Sequence, residues 1–398
     1  MDIVLSHRLK NIKPSPTLAV SARAAQLREQ GKDIISLSAG EPDFDTPKYI
    51  KNAAIKALDD GQTKYTAVDG TAHLKQAIID KFHRENNLEF VHDQILVSCG
   101  AKHSLYNLFQ AALNPDDEII IPSPYWASYP DMVMLSGANP VFVEATIDDN
   151  FKIKADDLEK KISNKTRMII LNSPSNPAGV YYKKEELALL GQTLIKHPNI
   201  LIVTDDIYEH ILWADNEFLN ILNVCPQLYD RTIVVNGVSK AFSMTGWRIG
   251  YAAGPKEIIK EMKKIQSQST SNPNSIAQVA ATIALNGDHD FIKKSVDTFK
   301  ERHDFLFNEL KKIDYVRAIE SGGTFYIFPD MNDIIKNLKE IKNDVELAEF
   351  FLEKAEVAMV PGSAFGSPGC MRISFATSMN NIKEGMKRIK SALQKTTS

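Results

Sequence analysis

Seven short runs of Ile- and Val-rich sequence constrain this chain more than any other feature: QILVSC (94–99), EIIIP (118–122), PVFVEA (140–145), TRMIIL (166–171), NILIVTD (199–205), TIVVNG (232–237) and RIGYAAG (248–254). They lack the in–out alternation of a strand with one wet face. A strand covered on both faces reads this way, and such strands belong to parallel sheets. Helix-length segments such as HSLYNLFQAAL (103–113) and KEELALLGQTLIK (184–196) separate most of them, as a crossover requires. The fold class expected is α/β, a mostly parallel central sheet flanked by helices.

Around Pro273 the pattern changes to long helices, clearest at 289–313, followed by GTFYIFP, VAMVP, MRISFA and a last helix. This reads as a smaller α+β domain. The first 40 or so residues carry no strand series and are assigned to it, because chain termini often lie together. The expected division is 1–45 with 289–398 as the small domain and 46–288 as the large one.

A chain of 398 residues with 43% hydrophobic and 24% charged residues has ample material for such a core, and its net charge of −3 gives no basic excess for nucleic acid. The three cysteines, Cys99, Cys225 and Cys370, are odd in number and far apart, which fits neither a disulfide framework nor a CxxC metal site. His, Arg and Lys break the apolar residues of the N-terminus, and no apolar run approaches about 18 residues, so neither a signal peptide nor a membrane span is expected. A reducing cytoplasm is the expected location.

In an open parallel sheet, ligands bind beyond the carboxyl ends of the strands. The residues there are chemically loaded. Lys240 follows TIVVNG, where desolvation could lower its pKa enough for covalent chemistry with a carbonyl. Asp205 ends an apolar strand; a buried carboxylate needs a cation such as a protonated ring nitrogen, or else caps a helix over DIYEHIL. Tyr208 offers a phenol three residues on. The Gly turn in SCGAKHSLYNLF directs backbone N–H groups and a helix dipole at an anion, and Arg248, read as the start of a strand, adds a planar cation. Asn176 could cap its own turn in SPSNPAG, and Trp126 could be core or a stacking surface. Arg372 lies between apolar neighbours in MRISFA, and an Arg so placed suits a substrate carboxylate.

SLSAGEPDFDTP, TKYTAVDG, LNSPSNPAGV, TDDIYEHILW, SKAFSMTGWRIGYAAGP and MRISFA together resemble, in order and approximate spacing, the fold-type I, class I aminotransferases that use pyridoxal 5′-phosphate (PLP). The resemblance spans nearly the whole chain and is greatest to the bacterial aspartate aminotransferase subgroup, whose members often also act on prephenate. It implies a homodimer that exchanges amino groups between amino acids and keto acids, with aspartate and 2-oxoglutarate the first expectation. It also implies that Lys240 binds PLP and moves the substrate's Cα proton, that Asp205 holds the pyridine nitrogen, and that Tyr208 and Asn176 contact the phenolic oxygen. Trp126 would stack on the ring; Ala101, Lys102, Ser239 and Arg248 would hold the phosphate, with Tyr65 arriving from the other subunit. Arg372 and Gly40, with Trp126 and Asn176, would bind the α-carboxylate end. Lys102, Ser15 and Thr17 would face the distal carboxylate, leaving Lys102 with two roles open, and Lys13 would tune prephenate. Gly237 and Asp206 depart from the pattern, where a phosphate-binding Ser and a Glu are more usual.

Other chemistries fit less well. PLP-dependent lyases share the scaffold and differ in needing no keto-acid acceptor. GVSKA (237–241) only approaches the GxSxG elbow of a serine hydrolase, and His289 and His303 fall in charged, helical sequence. A PLP-sensing transcription regulator would carry an additional helix-turn-helix, for which the pattern starting at KPSPTLAV (13–20) leaves no room.

Overall fold

A computed structural model describes residues 3–12, 14, 16–213, 218–338 and 340–396. The seven runs become one seven-stranded sheet: β1 Ile95–Ser98, β2 Glu118–Ser123, β3 Asn139–Glu144, β4 Thr166–Asn172, β5 Leu201–Asp205, β6 Thr232–Gly237 and β7 Gly250–Ala253. Their spatial order is β1-β7-β6-β5-β4-β2-β3. All neighbours are parallel except β7, which runs antiparallel to both β1 and β6.

Alternate residues of each strand enter different cores, which is why the runs show no polar face. Ile120, Ile169, Ile202 and Val234 pack on one side with Ile50 of α1 (Lys48–Asp59) and with Ile78 and Phe82 of α2 (Ala72–Asn86). Ile121, Ile170, Val203 and Val235 pack on the other with Leu105, Leu108 and Phe109 of α3 (Ala101–Ala112) and Val133 of α4 (Ser128–Leu135). Each such side chain, taken from water, stabilises the fold by about 1.5–3 kcal/mol.

The C-terminal elements, joined by Ile35–Ser36, form a smaller α+β unit around a core of their own. A three-stranded antiparallel sheet places Met371–Ser374 between Tyr326–Ile327 and Val360–Pro361, and α5 (Asp290–Leu310) sends Phe299, Leu306 and Leu310 into its core. Chain ends meet here: Ile35–Ser36 pairs in parallel with Val357–Ala358. The run VAMVP is therefore split between two small sheets, because Met359 separates a segment paired with the N-terminal strand from one paired with Met371–Ser374.

Two local expectations change. Arg248 does not begin a strand; it has φ 58° and lies two residues before β7. DIYEHIL forms turns rather than a helix, so Asp205 is the last residue of β5 and caps nothing helical.

Candidate active site

The carboxyl ends of the strands and the small unit enclose a cavity of about 280 Å³. Gly40, Ala101, Lys102, Trp126, Asn176, Asp205, Tyr208, Ser239, Lys240, Arg248, Arg372 and Thr17 all line it. Tyr65 does not, being 92% exposed on the surface of this chain. Lys13 and Ser15 lie outside the described residues.

Lys240 follows β6 and its Nζ donates to the Gly40 carbonyl at 2.6 Å. Burial pushes the amine down to about 8, with Glu41 opposing the shift and Arg372 and Arg248 adding to it. Asp205 is 4% exposed, and burial raises its carboxyl. The Tyr129 hydroxyl, which donates to Oδ2 at 2.6 Å, and the charge of Lys240 favour the ionised form and offset part of that rise.

Opposite, Arg372 is 2% exposed between the rings of Tyr326 and Phe365, its guanidinium carbon 4.5 and 4.9 Å from their centres. Its Nη1 donates to Asn176 Oδ1 at 3.0 Å and Nη2 to the Ser38 carbonyl at 2.9 Å, while the buried Nε has no protein partner. A guanidinium with a spare donor in a closed wall has capacity left for a ligand oxygen.

The third corner is built from backbone. Gly100 has φ 89°, and a Cβ there would fall 2.3 Å from Arg248 Nη2, so only glycine lets the guanidinium close over the start of α3. Arg248 is aimed by its own Nη1, which donates to the Thr245 carbonyl at 2.8 Å, and by Nη2, which reaches the Cys99 carbonyl at 3.3 Å. The first N–H groups of α3 add a positive helix end. Lys102 Nζ stands 4.9 Å from the Trp126 ring, its pKa lowered by burial and by Arg248.

Among the described residues, none of Lys102, Lys240, Arg248 and Arg372 has an ion-pair partner within 4.0 Å. Four cations and one carboxylate among the described residues that line the cavity call for a ligand carrying several negative charges.

Sequence reasoning missed Tyr129 and Tyr326. Tyr129 stands three residues beyond Trp126 in SPYWASYP, at the start of α4, so a helical turn there brings both rings to one side; their centroids are 5.3 Å apart at 89°. Tyr326 carries no local signal: its hydroxyl reaches Tyr208 at 3.1 Å across 118 residues of sequence.

Behind the loop that carries Asp205 and Tyr208 lies a second polar cluster. Lys81, 0% exposed, pairs with Glu209, and its Nζ also donates to Asn86 Oδ1 at 2.6 Å. Glu209 accepts further from Asn236 and Asn86, both at 2.7 Å, and His210 Nε2 is 2.9 Å from Glu85 Oε2.

Residues 32–389 match the family of class I and II aminotransferases. The chain is 57% identical over 394 residues to the aspartate/prephenate aminotransferase of Nitrosomonas europaea, covering 98% of this chain and 99% of that one. It is 48% identical over 389 residues to the enzyme of that name from Cereibacter sphaeroides, covering 97% of each. The fold superposes on the aspartate aminotransferase of Rhizobium meliloti with a TM-score of 0.96 at 44% identity, covering 99% of both chains. For the Thermus thermophilus aspartate aminotransferase with maleate the TM-score is 0.93 at 41% identity, covering 98% of this chain and 100% of that one. A cation-lined cavity at the strand ends, a desolvated lysine and end-to-end similarity converge: the chain belongs to the class I and II aminotransferases.

Proposed function

We propose that this enzyme transfers the amino group of L-aspartate to 2-oxoglutarate, giving oxaloacetate and L-glutamate, with PLP held in the cavity and prephenate as a second acceptor. The observation that carries the reading is the set of unpaired cations facing one buried carboxylate. The cavity residues fit PLP group by group. Arg248, Ser239 and the first turn of α3 suit a phosphate; Asp205 suits a protonated pyridine nitrogen, Trp126 a ring face, and Tyr208 and Asn176 a phenolic oxygen. Arg372 and Gly40 are left for the α-carboxylate of the substrate, and Lys102 with Thr17 for its distal carboxylate. Aspartate and prephenate are taken from the relatives' names, both being dicarboxylates that the two cationic ends would accept.

When bound, PLP supplies an electron sink for the charge left at the substrate's α-carbon. The protein's own work lies around it. Asp205, whose ionised form the Tyr129 hydrogen bond favours, would hold the ring nitrogen's proton. Lys240 Nζ, pushed down to about 8 by burial, takes the α-proton and returns it. Arg372, fixed by Asn176 and the Ser38 carbonyl, orients the α-carboxylate so that the scissile C–H faces Lys240.

Tyr65, exposed here, would complete the phosphate site of a second copy, which makes the functional unit a homodimer. No described helix is long and apolar enough to cross a membrane, and the three free cysteines suit the cytoplasm.

The test is the visible spectrum of the PLP-loaded protein. Aspartate should bleach the absorption band, and 2-oxoglutarate, oxaloacetate or prephenate should restore it. A band bleached only by aromatic or neutral amino acids would remove Lys102 and Thr17 from the distal site, and product formed without any keto acid would favour a lyase.

A further inference from the structure

Tyr326 takes no part in the roles above, yet it touches three parts of the site. It sits on Tyr326–Ile327, paired with the strand that carries Arg372. Its ring is fully buried beneath the Arg372 guanidinium at 4.5 Å. Its hydroxyl lies 3.1 Å from that of Tyr208, and a Cβ on Gly40, whose carbonyl holds Lys240, would fall 3.6 Å from it.

Two facing phenols share one hydrogen bond, and its direction matters. If Tyr208 donates, its only proton is consumed; if Tyr326 donates, the Tyr208 proton is free to point into the cavity. Burial raises both phenols and the Arg372 charge draws both back down, so their acidities do not set the direction of the bond. Glu41 opposes Arg372 at Tyr326 and is the weakest influence there. An anionic oxygen facing Tyr208 can only accept, so once the Tyr208 proton is committed to it the shared bond is left for Tyr326 to donate.

We propose that Tyr326 is a positioning residue that donates its hydroxyl proton to the Tyr208 oxygen and so turns the Tyr208 proton toward an anionic oxygen of the bound cofactor. The inference rests on the PLP reading above. It also makes the arginine that meets the substrate carboxylate and the phenol that meets the cofactor two ends of one connected chain.

The experiment is a double-mutant cycle with Tyr326→Phe, Tyr208→Phe and the pair, each retaining its ring. PLP affinity is read by fluorescence titration of the apoproteins, and kcat and KM for aspartate are read separately. Tyr326→Phe should weaken PLP binding and lower kcat by about threefold to tenfold, the range of one hydrogen bond, with KM nearly unchanged. Added to Tyr208→Phe it should do nothing more, because its only route is through that hydroxyl. Effects that multiply, or a rise in KM with kcat intact, would overturn the proposal in favour of simple support for Arg372. A wild-type apoprotein that takes up no PLP would sink both readings, whereas normal loading of wild type and Tyr326→Phe alike would sink this one alone.

Discussion

Residues 205–210 present two faces of one short segment, and the faces obey opposite electrostatic rules. Toward the cavity, Asp205 and Tyr208 stand among cations that have no ion-pair partner among the described residues. Away from it, Glu209 and His210 enter a cluster where charge is answered by charge, Lys81 pairing with Glu209 and lying 3.8 Å from Glu85, while Asp206 Oδ2 accepts from the neutral Asn220 amide at 2.6 Å and burial raises its carboxyl. Ligand atoms of Glu85, Glu209 and His210 fall within 4.8 Å of one another, spacing that would suit a metal ion, but the buried ammonium of Lys81 already supplies the cation. Side chains a peptide unit apart thus serve different ends. The back face fixes the loop internally, and the front face keeps its unmet charge for a ligand.

Substitution should separate the faces, and the largest effects belong to the front. Lys240→Ala is expected to abolish transamination, and Asp205→Ala to lower kcat by several orders of magnitude by leaving the ring nitrogen without its counter-charge. The Lys240→Ala apoprotein should unfold at a urea midpoint no lower than wild type, since it loses a buried amine that has no ion-pair partner among the described residues. Near-normal turnover in Asp205→Ala would refute its role. The back face should respond the other way. Lys81→Met leaves Glu209 buried and uncompensated, which should cost about 3–5 kcal/mol of stability. Pairing it with Glu209→Leu should restore much of that loss, and urea unfolding of the three variants decides it.

Tyr129 is where the front face receives support from the protein, and it tests how sharp the division is. Tyr129→Phe removes one hydrogen bond to an ionised carboxylate, so kcat should fall about tenfold with little change in the urea midpoint. A loss of stability without a loss of rate would move Tyr129 to the structural side.

The legible parts of this molecule were those written locally. Runs buried on both faces are apolar throughout, so the sheet could be read directly, and so could the loaded positions at its strand ends. Asp205, Lys240 and Arg372 each follow or interrupt an apolar strand, which is unusual enough to notice. Arg248 was found but misplaced, because its left-handed backbone answers to the Gly100 turn 148 residues away and leaves no periodic trace. VAMVP looked like one strand because composition does not record that its two halves pair with different partners. Tyr326 and Lys81 were invisible for the same reason: their partners, Tyr208 and Glu209, are adjacent to each other yet remote from both in sequence. Long-range pairing, not local propensity, decides those positions.

The smallest expected effect separates the faces by pH. On the front, burial lowers Lys240 to about 8, so the folded protein binds fewer protons than the unfolded chain between about 8 and 10.5. Its destabilising cost is full below 8 and fades as pH rises through that window. Lys240 would hold PLP covalently only as the neutral amine, so uptake of PLP by the apoprotein should rise about fivefold between pH 7 and 8 and about twofold more before it levels off near pH 9. On the back, burial favours protonated Glu85, but His210 and Lys81 overcome it and hold the carboxyl at about 2. That stabilisation is complete above about 4.5 and is lost only as pH falls through about 2, so the cluster should stay intact across the range in which Lys240 titrates. Measured together, uptake rate should change from pH 7 to 8 while the urea midpoint of a Lys240→Ala protein stays flat. Uptake that begins to rise only near 10.5 would mean that Lys240 is not desolvated, and the contrast between the faces would lose its front half.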